Sequence, residues 1–200
     1  MRRIPRRLST LLPPSVLLST QARAGVQLTV DGVADPLKGA VISGVELSQY
    51  ATRDVSDAQV RRLYERAPDQ VKSSLEPYGY YEATVTGALQ QVGKDWQVTL
   101  HVQPGEPVKV TAVDVQLDET AAAIAPIRRA QRALERMKGK ILDHGAYDSA
   151  RDALSAQLTA NGFLDARLLT HRVEVTRANR SATIKLAWQA GPRYRYGRVH

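Results

Sequence analysis

Apolar residues along this chain recur at two periods, and the change from one to the other happens twice at the same phrase. Val60, Leu63, Tyr64, Ala67, Val71, Leu75 and Tyr78 keep the i, i+3, i+4, i+7 spacing of an amphipathic helix. Gly79 then stands where a helix ends on a left-handed residue. Beyond it the period is 2. Tyr81, Ala83, Val85, Gly87 and Leu89 share one face of a strand, and Trp96, Val98, Leu100 and Val102 share one face of the next. Gly93-Lys94-Asp95 supplies the turn between them. The phrase at 75–84, LEPYGYYEAT, returns at 158–168 as LTANGFLDARL. Gly162, Phe163, Leu164, Asp165 and Ala166 take the places of Gly79, Tyr80, Tyr81, Glu82 and Ala83.

The remaining elements fall into order around that repeat. Val26, Leu28 and Val30 alternate as a short strand, and Asp35-Pro36 reads as a cap and first residue of a weak helix with Leu37, Ala40, Val41 and Val45 inward. Ser56-Asp57-Ala58-Gln59 fits a capping box ahead of the long helix, in which Pro68 predicts a kink or break near Ala67. Pro104-Gly105-Glu106-Pro107 separates the two copies. Val108 and Val110 are out of phase with Val113, Val115 and Leu117, which predicts a bulge around Thr111-Ala112. Helical material follows from about Glu119 to Lys138, interrupted by Pro126, then a helix from about Ala146 to Asn161 with Tyr147, Ala150, Leu154 and Leu158 inward. Ala182, Ile184, Leu186 and Trp188 alternate in the last full strand. Each copy therefore reads strand, helix, helix, strand, strand. The chain direction then places the first strand parallel to the third, beside a hairpin of the second and third, with a helix pair on one face. Ala190-Gly191-Pro192 mirrors Pro104-Gly105, and Tyr194, Tyr196 and Val199 begin what reads as a third copy.

Charge changes the picture only once it is located. The formal charge of +8 includes five arginines in residues 1–24, which hold no acid. That basic start, the apolar run Leu8–Leu18 and Ala22-Arg23-Ala24 read as a signal peptide with a mature start at Gly25. Residues 25–104 hold seven basic and ten acidic residues, and residues 105–200 sixteen and ten. The second half is thus modestly basic, well short of a phosphate-binding face. There is no cysteine, which removes disulfides and thiolate chemistry.

No catalytic constellation emerges: there is no nucleophile elbow, zinc helix, P-loop or dinucleotide fingerprint. His101, His144, His171 and His200 are scattered singly, and Asp143, Asp148 and Asp152 sit around a helix start as cap and dipole partners. Trp96 and Trp188 obey strand alternation and are expected in the cores. Arg128, Arg129, Arg132 and Arg136 form one basic helix face, which is either a solvated surface or a contact for lipid headgroups or an acidic partner. No enzyme, cofactor or metal is expected.

Tandem strand-helix-helix-strand-strand units of this length resemble POTRA (polypeptide-transport-associated) domains. LEPYGYY and LTANGFL resemble the family's helix-to-strand junction, and GEPVKVTAVDV and GPRYRYGRV its inter-domain strand openings. The combination resembles the N-terminal part of the translocation and assembly module family of the bacterial outer membrane. The resemblance implies an α+β fold of tandem POTRA domains, here 25–104 and 105–191, with 1–24 the signal peptide and 192–200 the start of a third. It also implies a periplasmic scaffold, outer-membrane or secreted polypeptide clients, an inner-membrane-anchored assembly partner, a C-terminal β-barrel beyond this sequence, and no nucleic acid. A second class of function, a basic module for anionic lipid or nucleic acid, follows from the charged second half. The expected partner-binding surface is the outer strand of the first hairpin, roughly Glu82 to Gln91, through Glu82, Thr84, Thr86, Gly87 and Gln90. Its outward residues include no lysine or proline, the usual guards against pairing. The matching strand of the second copy carries Arg167 and Arg172 and is better guarded.

Overall fold

The computed structural model describes residues 25–195 and 197. The expected leader, together with Tyr196, Val199 and His200, lies outside the described residues. The first unit runs β1 (Val26–Asp31), α1 (Leu37–Gly44), a 3-10 turn (Glu46–Tyr50), α2 (Asp57–Leu75), a second 3-10 turn (Glu76–Tyr78), β2 (Thr84–Val92) and β3 (Asp95–Gln103). The second runs β4 (Lys109–Gln116), α3 (Glu119–Ala122), α4 (Ala125–Glu135), α5 (His144–Ala160), β5 (Arg167–Thr176), a 3-10 turn (Arg177–Asn179) and β6 (Ser181–Gln189). The sheets have strand orders β1-β3-β2 and β4-β6-β5, each with the outer first strand parallel to the centre and the hairpin partner antiparallel. This is the topology expected from the chain direction, and the α+β arrangement that the resemblance to tandem POTRA units implies.

Each sheet buries one face under its helices. In the first core Trp96, Val98, Leu100 and Val102 of β3 meet Val60, Leu63, Ala67, Val71 and Leu75 of α2, while Gln97, His101 and Gln103 stay exposed. Ala182, Ile184, Leu186 and Trp188 of β6 meet Ile127, Leu134, Leu154 and Leu158 in the second. Both tryptophans point their indole N–H at the covering helix: Trp96 Nε1 donates to Asp57 Oδ1 at 3.2 Å and Trp188 Nε1 to Ser155 Oγ at 3.1 Å. The ring is thereby buried without an orphaned donor.

Several local expectations are refined. α2 is continuous through Pro68, with Ala67 and Val71 both fully buried, so core packing holds together a turn that lacks one amide donor. The interruption expected at Pro126 is found at Ala123-Ile124, just ahead of the proline. Pro126 itself sits in the first turn of α4, where its missing N–H is not needed. Only half of the capping box forms: Ser56 Oγ accepts from Gln59 N at 3.3 Å, but the Gln59 side chain donates to Tyr50 Oη at 2.8 Å. Asp35 caps one residue later than its position predicts, accepting from Gly39 N at 3.2 Å. The bulge in β4 falls between Val110 and Ala112, which returns Val113 and Val115 to the core side.

Candidate functional site

Among the described residues β2 is bonded on one side only, to β3, from Thr84↔Gln103 to Val92↔Asp95, with no register shift. Nine residues of strand therefore present a free row of backbone donors and acceptors. Val85 and Leu89 pack toward the first core, and Thr84, Thr86, Ala88, Gln90 and Val92 alternate away from it. Thr84, Thr86, Gly87 and Gln90 are all exposed on this strand. Glu82 is not part of it: it lies in the bend before β2, and its carbonyl oxygen is 3.2 Å from where a Cβ on Gly105 would stand. Gly87 is explained from within. A Cβ there would meet Tyr64 Oη at 3.0 Å and Leu100 Cδ2 at 3.1 Å, so the missing side chain makes room for α2 and the core.

The corresponding edge of the second sheet is broken. β5 shifts register between Leu168 and Thr170, and its exposed Arg172 pairs with Glu174 at 2.9 Å. A bulge and charges are devices that discourage pairing. Part of the β4 edge is occupied by the chain itself, since Val110 N donates to Lys140 O and Leu142 N to Val108 O. Among the strand edges, β2 is the long one with an uninterrupted register.

Among the described residues the bonded histidines and carboxylates stand in separate pairs and caps rather than gathered at one place. His101 pairs with Asp31 across the parallel β1–β3 register, a partner its place on the polar face did not reveal. Asp143 caps α5 by accepting from Ala146 N at 2.8 Å, while Asp148 and Asp152 both hold Arg151. Among the described residues no group of three His, Asp or Glu is placed to hold a metal. No helix among them is long and apolar enough to cross a membrane.

A second cluster, missed in the sequence, joins the units. Tyr81 was expected on the inner face of the first hairpin. Instead it precedes β2 and packs against the second core, while Tyr80 packs against the first. Its hydroxyl lies 3.0 Å from His144 Nε2, and the Arg177 guanidinium stands 5.4 Å over its ring. Arg177 also reaches Glu76 at 3.6 Å. Burial pushes the Tyr81 hydroxyl above the usual tyrosine value, Glu76 adds to the rise and Arg177 opposes it. The signal was present in the doubled aromatic, because two adjacent residues at a strand entry cannot both face one core. The backbone completes the joint: Val108 N donates to Gly79 O at 2.8 Å. At the repeat, Tyr194 N donates to Gly162 O at 2.7 Å.

The element order, the mixed three-stranded sheets and the glycine joints define a class, the POTRA fold. Residues 27–104 match the family model described as POTRA domain TamA domain 1. The first unit is thus similar to a TamA-type POTRA domain, and the second unit repeats its strand order. Among solved structures it is similar to POTRA3-5 of BamA from Haemophilus influenzae, at 18% identity and a TM-score of 0.45 over 86% of this chain and 67% of that one. It is also similar to POTRA1-3 of Omp85 from Anabaena, at 16% identity and a TM-score of 0.38 over 82% and 59%. CdiB from Escherichia coli is matched at 12% identity and a TM-score of 0.34, over 88% of this chain and 29% of CdiB.

Proposed function

We propose that this chain is the periplasmic POTRA scaffold of an outer-membrane protein assembly or translocation factor, and that it holds extended polypeptide clients by strand addition along β2. The observation that carries the reading is the β2 edge, nine residues in unbroken register with no lysine, arginine or proline. An incoming segment would add as a fourth strand beside it. Backbone hydrogen bonds would supply affinity without demanding a client sequence, and Thr84, Thr86 and Gln90 would meet alternate client side chains. Gly87 serves the fold and Glu82 borders the site, so neither is needed to grip the client. The family resemblance supports outer-membrane or secreted polypeptides as the clients and an inner-membrane-anchored protein as the assembly partner.

Strand addition protects alternate amides, because only every second N–H of an edge strand points outward. With a peptide alternating valine with glutamine as probe, amide exchange followed by NMR is expected to slow at alternate residues of Thr84–Val92. Protection centred on α2, or none at saturating peptide, would overturn the reading. A Thr86→Pro chain that stays folded is expected to lose the effect, and unchanged peptide crosslinking to it would also count against β2.

A further inference from the structure

The second surface is on α4. Ile127 and Leu134 anchor this helix and are fully buried, while Arg128, Arg129, Arg132 and Arg136 are all exposed. At about 100° per residue the four arginines fall within an arc of about 100°, roughly opposite the two anchors. Lys138 and Lys140, also exposed, extend the row beyond the helix end. None of these six cations has an ion-pair partner among the described residues, whereas Arg151, Arg172, Arg177 and Lys185 of the same unit each do. Glu135 is the only acid on the helix.

Helix stability does not account for the row. Arg132 and Arg136 lie near the C-terminal end, where the helix dipole favours a positive charge. Arg128 and Arg129 lie near the N-terminal end, where the dipole opposes one, and no acid stands in the first turn to offset it. In the first unit α1 carries only Lys38, and the cations of α2, Arg61, Arg62, Arg66 and Lys72, are interleaved with Asp57, Glu65 and Asp69, with Arg61 laid over Trp96, Arg66 paired with Glu46 and Lys72 with Asp69. The face is also without apolar anchors: none of the exposed large hydrophobic residues, Ile42, Val92, Ile141, Leu164, Leu169 and Tyr194, is on α4. A specific protein partner needs such anchors at the centre of its contact. A planar array of phosphates does not, and it matches a convex row of guanidinium groups.

We propose that the α4 face is a peripheral binding site for the phosphate headgroups of an anionic lipid bilayer. Binding is electrostatic and reversible, with the chain lying on the surface and inserting nothing.

The test is vesicle co-sedimentation with phosphatidylcholine alone and with about one-third phosphatidylglycerol. The chain is expected to bind only the anionic vesicles and to be released as salt rises. The triple variant Arg128→Gln, Arg129→Gln, Arg132→Gln is expected to lose about a hundredfold in partitioning, at about fivefold per cation near an anionic surface. A control removing the same charge from exposed positions of the first unit, Arg53→Gln, Arg62→Gln and Lys94→Gln, is expected to stay within a few-fold of the parent. Equal losses in both triples would reduce the effect to net charge and overturn the site. So would failure to bind anionic vesicles at low salt, including the case in which the chain binds an acidic peptide or single-stranded DNA instead. All six substituted side chains are exposed, and matching melting curves would confirm that each variant is folded.

Discussion

Gly79 and Gly162 hold φ of +86° and +95°, and in each case the missing side chain leaves room for following backbone. A Cβ on Gly79 would stand 2.6 Å from Leu142 O, and one on Gly162 would collide with Tyr194 O. Two causes therefore demand glycine at each stop, the left-handed conformation and the close approach of the next segment. Gly79→Val and Gly162→Val are each expected to lower stability by about 1–3 kcal/mol, read as a fall in denaturation midpoint. A wild-type melt for either would show that the stop relaxes without a left-handed residue. The positive φ was legible from the helix stripe ending at Tyr78 and the strand alternation that follows. The close approach was not, because Leu142 lies 63 residues away and belongs to the other unit.

At the scale of elements, α2 is the test of propensity against packing. Pro68 removes one amide donor and crowds the preceding turn, yet the helix runs unbroken for 19 residues. The cost is absorbed because Val60, Leu63, Ala67, Val71 and Leu75 are buried on one side of it. Pro68→Ala restores the donor and is expected to stabilise the chain by about 1–2 kcal/mol, after part of the gain is offset by a freer unfolded chain. Thermal denaturation reads this directly, and an unchanged or lower Tm would mean that the proline is already accommodated without strain. Strand elements were easier to foresee than helix boundaries. Period-2 alternation marked β2, β3 and β6. It marked even the β4 bulge, since an apolar series that changes phase can keep one face inward only by inserting an extra residue. What alternation left out is that β5 is bulged while β2 is not. The difference in edge protection depends on both strands of each hairpin.

For the whole molecule, the joint between the units matters most. Tyr81 is contributed by the first unit and held by His144 and Arg177 of the second, with the Gly79–Val108 backbone bond beneath it. Such a clamp restrains the hinge between the units, and would hold the proposed β2 and α4 surfaces in a fixed relation. Tyr81→Ala is expected to broaden the distance distribution between spin labels placed one in each unit, with little effect on either core. A distribution as narrow as the parent's would show that the backbone contacts alone suffice. The raised Tyr81 value adds a pH limit: the neutral hydroxyl is the favoured form in the folded chain. Its contribution is complete below the ordinary tyrosine value of about 10 and is lost as pH rises through the higher folded-state value.

The sequence by itself determined the repeated element order, the two glycine stops, the sheet topology and the inward faces of the central strands. These follow from period and chain direction within one unit, where short connections leave few alternatives. It also indicated the outer strand of the first hairpin and the basic face of α4, because alternation and helical spacing assign each exposed residue to a side. Only the tertiary structure decided the rest. It carried Tyr81 across to the second core, removed Glu82 from the strand, filled the space at Gly87 with Tyr64, and left the α4 cations without ion-pair partners among the described residues. Each depends on which side chains from distant segments come within a few ångströms, which local period does not specify even where the doubled Tyr80-Tyr81 signals that one ring must face elsewhere.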